Sequence, residues 1–265
     1  MIDPRSVALF IPDNLKKFKL KLFERIGDHI RQRGGQVVYH DGSKLDELPA
    51  DIIPIIGCHP MVRPQIDRWI QSGRPFIYWD RGYCRRIFAT WLPRGENGGY
   101  YRWHLNSFQM RKIREVPKDR WLEMRTDVAP WSMNGRHILI AAPSLTYSDF
   151  HGTYDWTEKT VQQLHQLTDR PIRIREKLSP VALATDLRGA HCLVTHQSNA
   201  AAEAVILGCP VFVDDGSAAA LVGQTDLTKI ETPIYPERKP WLWSLAYSQF
   251  NEDELVNGTL WRLLG

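Results

Sequence analysis

The chain has 265 residues, 43% hydrophobic and 24% charged, with 34 Lys and Arg against 30 Asp and Glu. That balance belongs to a folded globular chain and excludes a disordered or low-complexity one. No stretch approaches eighteen consecutive apolar residues, and MIDPRSVALFIPDN has no basic segment leading into a long apolar one; the expectation is a cytoplasmic protein without a signal peptide, a membrane span or a membrane partner.

In chain order, residues 6–11 (SVALFI) read as a strand. Residues 13–34 then place Leu15, Phe18, Leu22, Ile26 and Ile30 on one helical face, with Asp13 or Asn14 able to cap the start and Gly34-Gly35 to end it. QVVYH reads as a second strand, residues 50–57 as a third, RPQIDRWIQSG as a helix and PFIYWD as a fourth strand. Such alternation implies a parallel sheet with helices on both faces.

The pattern breaks down over residues 81–125, which predict loops and short helices. Between Arg63 and Arg125 there are fourteen Lys and Arg against six Asp and Glu, an excess of eight positive charges in a chain whose total is +4. Within this region YYRWHLNSFQMRKIR interleaves stacking rings with cations, which suits either a nucleic-acid surface or a loop packed by its own aromatics. Arg81, Arg85, Arg86, Tyr101, Arg102, Trp103, Arg111 and Lys112 are its candidate nucleic-acid contacts.

DVAPWSMNGR (residues 127–136) reads as a linker, after which the alternation restarts. Residues 137–144 form a strand, TYDWTEKTVQQLHQLT a helix, PIRIREK a strand, SPVALATDLRGA a short helix, HCLVT a strand, AAAEAVILG a helix and CPVFVD a strand. The tail carries two short apolar helical patterns, the second opened by the capping sequence NEDEL. The fold class is therefore α/β, with two Rossmann-like domains, residues 1–130 and 131–265.

Chemistry is expected where strands end and helices begin, since open parallel sheets bind ligands there. The clearest place is LVTHQSNAAAEAVILGCPVFV. His196, Gln197, Ser198 and Asn199 stand between a strand and a helix of small residues; Ser198 or Asn199 can cap that helix, whose N-terminus suits an anion such as phosphate. Glu203 sits one turn inside, on the face of Asn199, where a carboxylate can accept from a vicinal diol. Ser144 and Thr146 offer hydroxyls in the loop APSLTYSDFHG. Strand alternation puts Arg175 and Lys177 on one face, suited to a diphosphate. In the first domain His59 and Asp80 follow strands and are candidate general bases. The dispersed histidines and the scattered Cys58, Cys84, Cys192 and Cys209 imply no metal site.

THQSNAAAEAVILGCPVFV resembles the nucleotide-sugar motif of GT-B glycosyltransferases, in which a small-residue helix start meets the donor diphosphate, a glutamate meets the ribose, and a Gly-x-Pro follows. TDRPIRIREK is similar to capsule-type and phage-encoded members of this group, and the whole chain looks like a phage-encoded family. The resemblance implies two domains around an interdomain crevice, residues 1–130 on the acceptor side and 131–265 holding a nucleotide sugar, UDP-linked for preference, without metal or bound cofactor. It implies Ser198, Asn199 and Glu203 as donor contacts, with Ser144, Thr146, Arg175, Lys177 and His196 around them. A basic, phage-borne member implies a hydroxymethylated DNA base as acceptor, in the host cytoplasm. A surface-polysaccharide glycosyltransferase, a nucleotide-sugar epimerase, and a non-catalytic nucleic-acid-binding protein on the same fold are the alternatives.

Overall fold

The computed structural model describes residues 2–11, 17–39, 45–57, 63–84 and 99–264. In chain order its elements are β1 (Val7–Ile11), α1 (Lys17–Gln32), β2 (Gln36–Tyr39), β3 (Ile53–Gly57), α2 (Arg63–Gln71), β4 (Ile77–Arg81), β5 (Tyr101–Leu105), α3 (Asp119–Glu123) and β6 (His137–Ala141). There follow α4 (Leu145–His151), α5 (Trp156–Leu167), β7 (Ile172–Arg175), α6 (Leu183–Asp186), β8 (Ala190–Thr195), α7 (Asn199–Ile206), β9 (Val211–Val213) and α8 (Lys239–Ala246). The chain closes with β10 (Gln249–Phe250), α9 (Glu252–Val256) and α10 (Thr259–Leu263). Two compact units result: residues 1–108 with 247–265, and residues 109–246.

In the first unit the sheet order is β2-β1-β3-β4-β5-β10. The first four strands are parallel, while β5 and β10 add on antiparallel. β1 is buried along its whole length because helices cover both faces of a parallel sheet. Leu22, Ile26 and Ile30 join Phe23 in the core, as their helical spacing predicts; the side chains of Leu15 and Phe18 lie outside what is described.

Two expectations are corrected here. The division falls after residue 108, not near 130, and the tail belongs to the first unit. Leu255, Leu260, Trp261 and Leu264 share a core with Val7, Ile55 and Ile77. Gln249 fixes this return: its side-chain oxygen accepts from the Tyr83 N–H at 2.8 Å and its amide donates to the Cys84 carbonyl at 3.3 Å. The linker composition at 127–136 marks where a new sheet begins, whereas a unit is defined by which residues pack together.

The second correction concerns the aromatic and basic segment. Tyr101, Arg102 and Trp103 lie on β5 and are 7%, 5% and 2% exposed. They are interior side chains, so they form no nucleic-acid surface. β5 hydrogen-bonds on both edges, to β4 and to β10, and apolar residues of the sheet and tail cover its rings. Trp103→Ala is expected to cost about 3–5 kcal/mol of stability, the loss for emptying a large buried aromatic site. Chemical denaturation measures it, and an unchanged midpoint would return Trp103 to the surface.

In the second unit four parallel strands lie in the order β7-β6-β8-β9. β6 and β8 are buried throughout, and Ile138, Ile140, Cys192, Val194 and Phe212 pack with Leu164 of α5. Burial pushes the Cys209 thiol up to about 12, so it packs as a small apolar group. No helix among the described residues is long and apolar enough to cross a membrane.

Candidate functional site

From β6 the chain passes through α4 and α5 to β7 on one side; from β7 it passes through α6 to β8 on the other side of β6. The connections leaving β6 and β8 therefore diverge. This is the topological switch point at which open parallel sheets leave room for a ligand. Ala142, Pro143 and Ser144 form one lip, and His196, Gln197 and Ser198 the other.

Hydrogen bonds tie the two lips together. The buried Thr195 hydroxyl donates to the Ala141 carbonyl at 2.7 Å. The Tyr147 hydroxyl meets His196 Nδ1 at 2.8 Å, and Tyr147 stacks on His151 with ring centroids 4.1 Å apart. Trp156 stands edge-on to His196 at 6.1 Å. Asp214, just after β9, holds the second lip: its Oδ1 accepts from Gln197 Nε2 at 2.7 Å and from the Gly216 N–H at 3.0 Å. A Cβ at Gly216 would fall 2.2 Å from Gln197 Nε2, so a larger residue there would displace the Gln197 amide from Asp214. Gln109 spans the same loop, donating to the Gln197 carbonyl at 2.6 Å and accepting from the Ala218 N–H at 2.9 Å.

Ser198 is the N-cap of α7, and its hydroxyl accepts from the Ala200 N–H at 3.2 Å. Asn199 opens the helix, and Glu203 lies one turn in, half-buried among Ala201, Ala202 and Ala204, which are buried. The helix ends in a Schellman motif. Cys209 N–H bonds the Ala204 carbonyl, Gly208 N–H bonds the Val205 carbonyl, and Gly208 adopts φ 79°.

On the other lip Ser144 is the N-cap of α4, a helix closed by Gly152 at φ 67°, where the sequence reads as a loop. Thr146 is exposed in its first turn. Lys177 Nζ donates to Ser144 Oγ at 3.4 Å. Arg175 is different: its guanidinium is engaged by Asp186, so its charge is already matched within the fold. The structure thus brings Ser144 to Lys177, and His196 to the Ser198 loop. Tyr147, Asp214 and Gln109 complete the site; sequence reading did not single them out as ligand contacts, because their partners lie 49, 17 and 88 residues away.

Among the first-unit candidates, Asp80 accepts from Arg102 Nη2 at 2.8 Å across the β4–β5 pair and from the Arg81 N–H at 2.7 Å. Burial opposes the charge of Arg102, but the Asp80 carboxylate and the Tyr83 and Tyr78 side chains outweigh it and hold the guanidinium firmly protonated. Arg81, Arg111 and Lys112 are exposed, and Arg111 donates to the Asp215 carbonyl. His59, Arg85 and Arg86 lie outside the described residues. Among the described residues no three His, Cys, Asp or Glu gather as a metal-holding group.

No family model matches the chain, and no curated protein matches it significantly. Among solved structures, the chain is similar to KpsC of Thermosulfurimonas dismutans, a beta Kdo 2,7 transferase. The TM-score is 0.54 at 10% identity, over 96% of this chain and 99% of that one. A LacI family transcriptional regulator from Bifidobacterium animalis (TM-score 0.27, 9% identity, 80% and 78% covered) and aspartate transcarbamoylase from Trypanosoma cruzi (0.27, 11%, 100% and 85%) are too distant to carry an argument. At this identity the likeness to KpsC is one of fold: this chain has the two-unit α/β fold of that solved transferase chain.

Burial holds the His196 pKa below its ordinary 6.5, with Asp214 opposing only in part. His29 and His137 are lowered too, first by burial. For a lowered histidine the unfolded chain takes up a proton that the folded chain refuses. Stability is therefore full above the unfolded value and is lost as pH falls through it. The melting temperature is expected to be lower at about pH 5.5 than at about pH 7.5, and His196→Gln to shrink that difference. An identical difference in the variant would remove His196 from the account.

Proposed function

We propose that the protein is a glycosyltransferase that holds a nucleotide sugar at the carboxyl ends of β6 and β8. The observation that carries this reading is the switch-point site: Lys177 and Ser144 on one lip, the capped start of α7 on the other, and Glu203 one turn inside the helix. It occurs in a chain whose fold is similar, over nearly its full length, to that of a sugar transferase. Lys177 and the N-terminal dipole of α7 favour the leaving phosphate. The alanines admit the nucleotide close to the backbone, and Glu203 accepts from the ribose hydroxyls. His196, kept neutral by burial, can hydrogen-bond the donor without adding charge.

For the acceptor we favour a saccharide hydroxyl over a DNA base. Of the residues from which a DNA surface was expected, Tyr101, Arg102 and Trp103 are buried in the first unit. Asp80 and His59 are retained as alternative acceptor bases. Their tests need a stability control, because removing the Asp80 carboxylate takes away the negative charge that faces the buried Arg102 guanidinium. Asp80→Asn is expected to cost roughly 3 kcal/mol of stability for that reason alone, measured by chemical denaturation; full stability in this variant would show that the pair is dispensable.

Glu203→Ala and Glu203→Gln are expected to weaken nucleotide binding about tenfold, equivalent to about 1.4 kcal/mol, with the melting temperature of the Gln variant near that of the parent. Unchanged nucleotide affinity in both would sink the ribose assignment. For the reaction, the protein is incubated with nucleotide sugars, UDP-linked ones first, and either oligosaccharides or hydroxymethylated DNA. Product masses are then read directly or after digestion to nucleosides. A saccharide gaining one sugar mass is the expected outcome. A heavier base would reassign the acceptor to DNA, and no transfer with any pair would overturn the enzyme reading.

A further inference from the structure

The second unit carries a cleft of about 870 Å³ away from the switch-point loops, between α3, the segment around Trp131, residues 235–239 and α8. It lies at the other end of α7, because Arg238 on its wall donates to the Val205 carbonyl of that helix and to the Ala129 carbonyl. Its volume falls in the range of small-ligand sites.

Two properties of the walls define what would fit. The first is aromatic surface: Trp121, Trp131, Trp243 and Tyr235 line the cleft. Trp131 is held in place on three counts. Its indole N–H donates to the Pro236 carbonyl at 3.1 Å, the Arg238 guanidinium lies 4.1 Å from its ring centroid, and Tyr235 stands edge-on at 6.0 Å. The second is charge: three cations, Lys118, Arg238 and Lys239, line the cleft with one acid, Glu237. One Glu237 oxygen accepts the N–H groups of both Arg238 and Lys239 at 2.8 Å, so that carboxylate is turned to its own backbone. Lys118 and Lys239 are exposed, with charges open to solvent, and Leu122 beside them is 60% exposed.

Indole and phenol faces pack against the C–H faces of pyranose rings, while ammonium groups select ring substituents that carry negative charge. The cleft is partly open to solvent, so a ligand longer than one sugar ring can extend out of it. We propose that this cleft binds an acidic oligosaccharide, its sugar faces on Trp131 and Trp243 and its carboxylates toward Lys118 and Lys239. The proposal does not depend on the transferase reading, and its test is a binding measurement.

Titration calorimetry of the full chain uses oligogalacturonate and oligosialate as probes, with a maltose oligomer as the neutral control and oligoglutamate as the charged non-sugar control. Saturable binding of at least one acidic saccharide is expected, about tenfold or more tighter than either control. The double variant Lys118→Glu, Lys239→Glu changes only exposed side chains and is expected to keep its fold and lose that binding by about tenfold or more. Trp243→Ala is expected to do the same, with quenching of tryptophan fluorescence lost in parallel. Glu203→Ala is expected to leave the binding unchanged, which separates this cleft from the switch-point site. The proposal is overturned if neither acidic saccharide binds, if oligoglutamate or the maltose oligomer binds as well, or if the variants bind like the parent.

Discussion

A parallel strand flanked by neighbours whose connections leave in opposite directions cannot close its own carboxyl end. β6 is such a strand in the second unit, and the features of its site follow from that constraint. The gap beyond β6 and β8 is kept at a fixed width by two short bonds, Thr195 to Ala141 and Tyr147 to His196. Asp214 and Gln109 then hold the second lip from behind, so that Ser198 stands where it can cap α7. The strand and helix of this lip are mostly apolar and buried, and its polar side chains gather at the turn from His196 to Asn199, with Glu203 one turn further in. That placement lets a helix terminus face solvent without leaving buried polar groups unpaired.

Several arginines among the described residues serve as internal cross-links. Arg102 lies in the first core beside Asp80, and Arg175 meets Asp186. Arg74 donates to the carbonyls of Leu48 and Pro49 with its guanidinium 3.5 Å from the centre of the Trp69 ring. Arg170 joins Glu231 to the Gly135 carbonyl, and Arg238 ties α7 to Ala129. A planar fork with five donors can satisfy loop carbonyls that no strand reaches, which a lysine ammonium does less well. An excess of arginine in a segment therefore measures how many loops need bracing as much as how much charge meets a partner.

α7 is short, about 12 Å at the rise of an α-helix, and the two ends of this single element face different chemistry. Its N-terminus opens on the switch-point loops. Its C-terminus is stopped by Gly208, where a Cβ would fall 1.9 Å from the Pro130 carbonyl oxygen, and is buttressed by Arg238. The helix is almost wholly apolar between these ends, so its position follows from packing and its termini are left to carry the polar work.

How much was legible in the sequence depends on the range of the interaction. The strands of both parallel sheets, the helix of Leu22, Ile26 and Ile30, and the handover at His196 to Asn199 could be read directly. Each rests on backbone periodicity or on a cap within a few residues, and Gly208 and Pro210 punctuate the last. The antiparallel additions could not be read this way. β10 has two residues and no period, and β5 is buried on both faces, so its aromatic and basic letters resemble a surface. Nor could the return of the tail, the pairing of Asp80 with Arg102, or the places of Tyr147, Asp214 and Gln109. Those depend on which distant groups fall within about 3 Å of one another, the reach of a hydrogen bond. The sequence by itself determined that strands would hand over to helices and that one handover would be polar. Only tertiary structure decided which charges were left to meet a ligand, because a charge is free only after the fold has used those it needs.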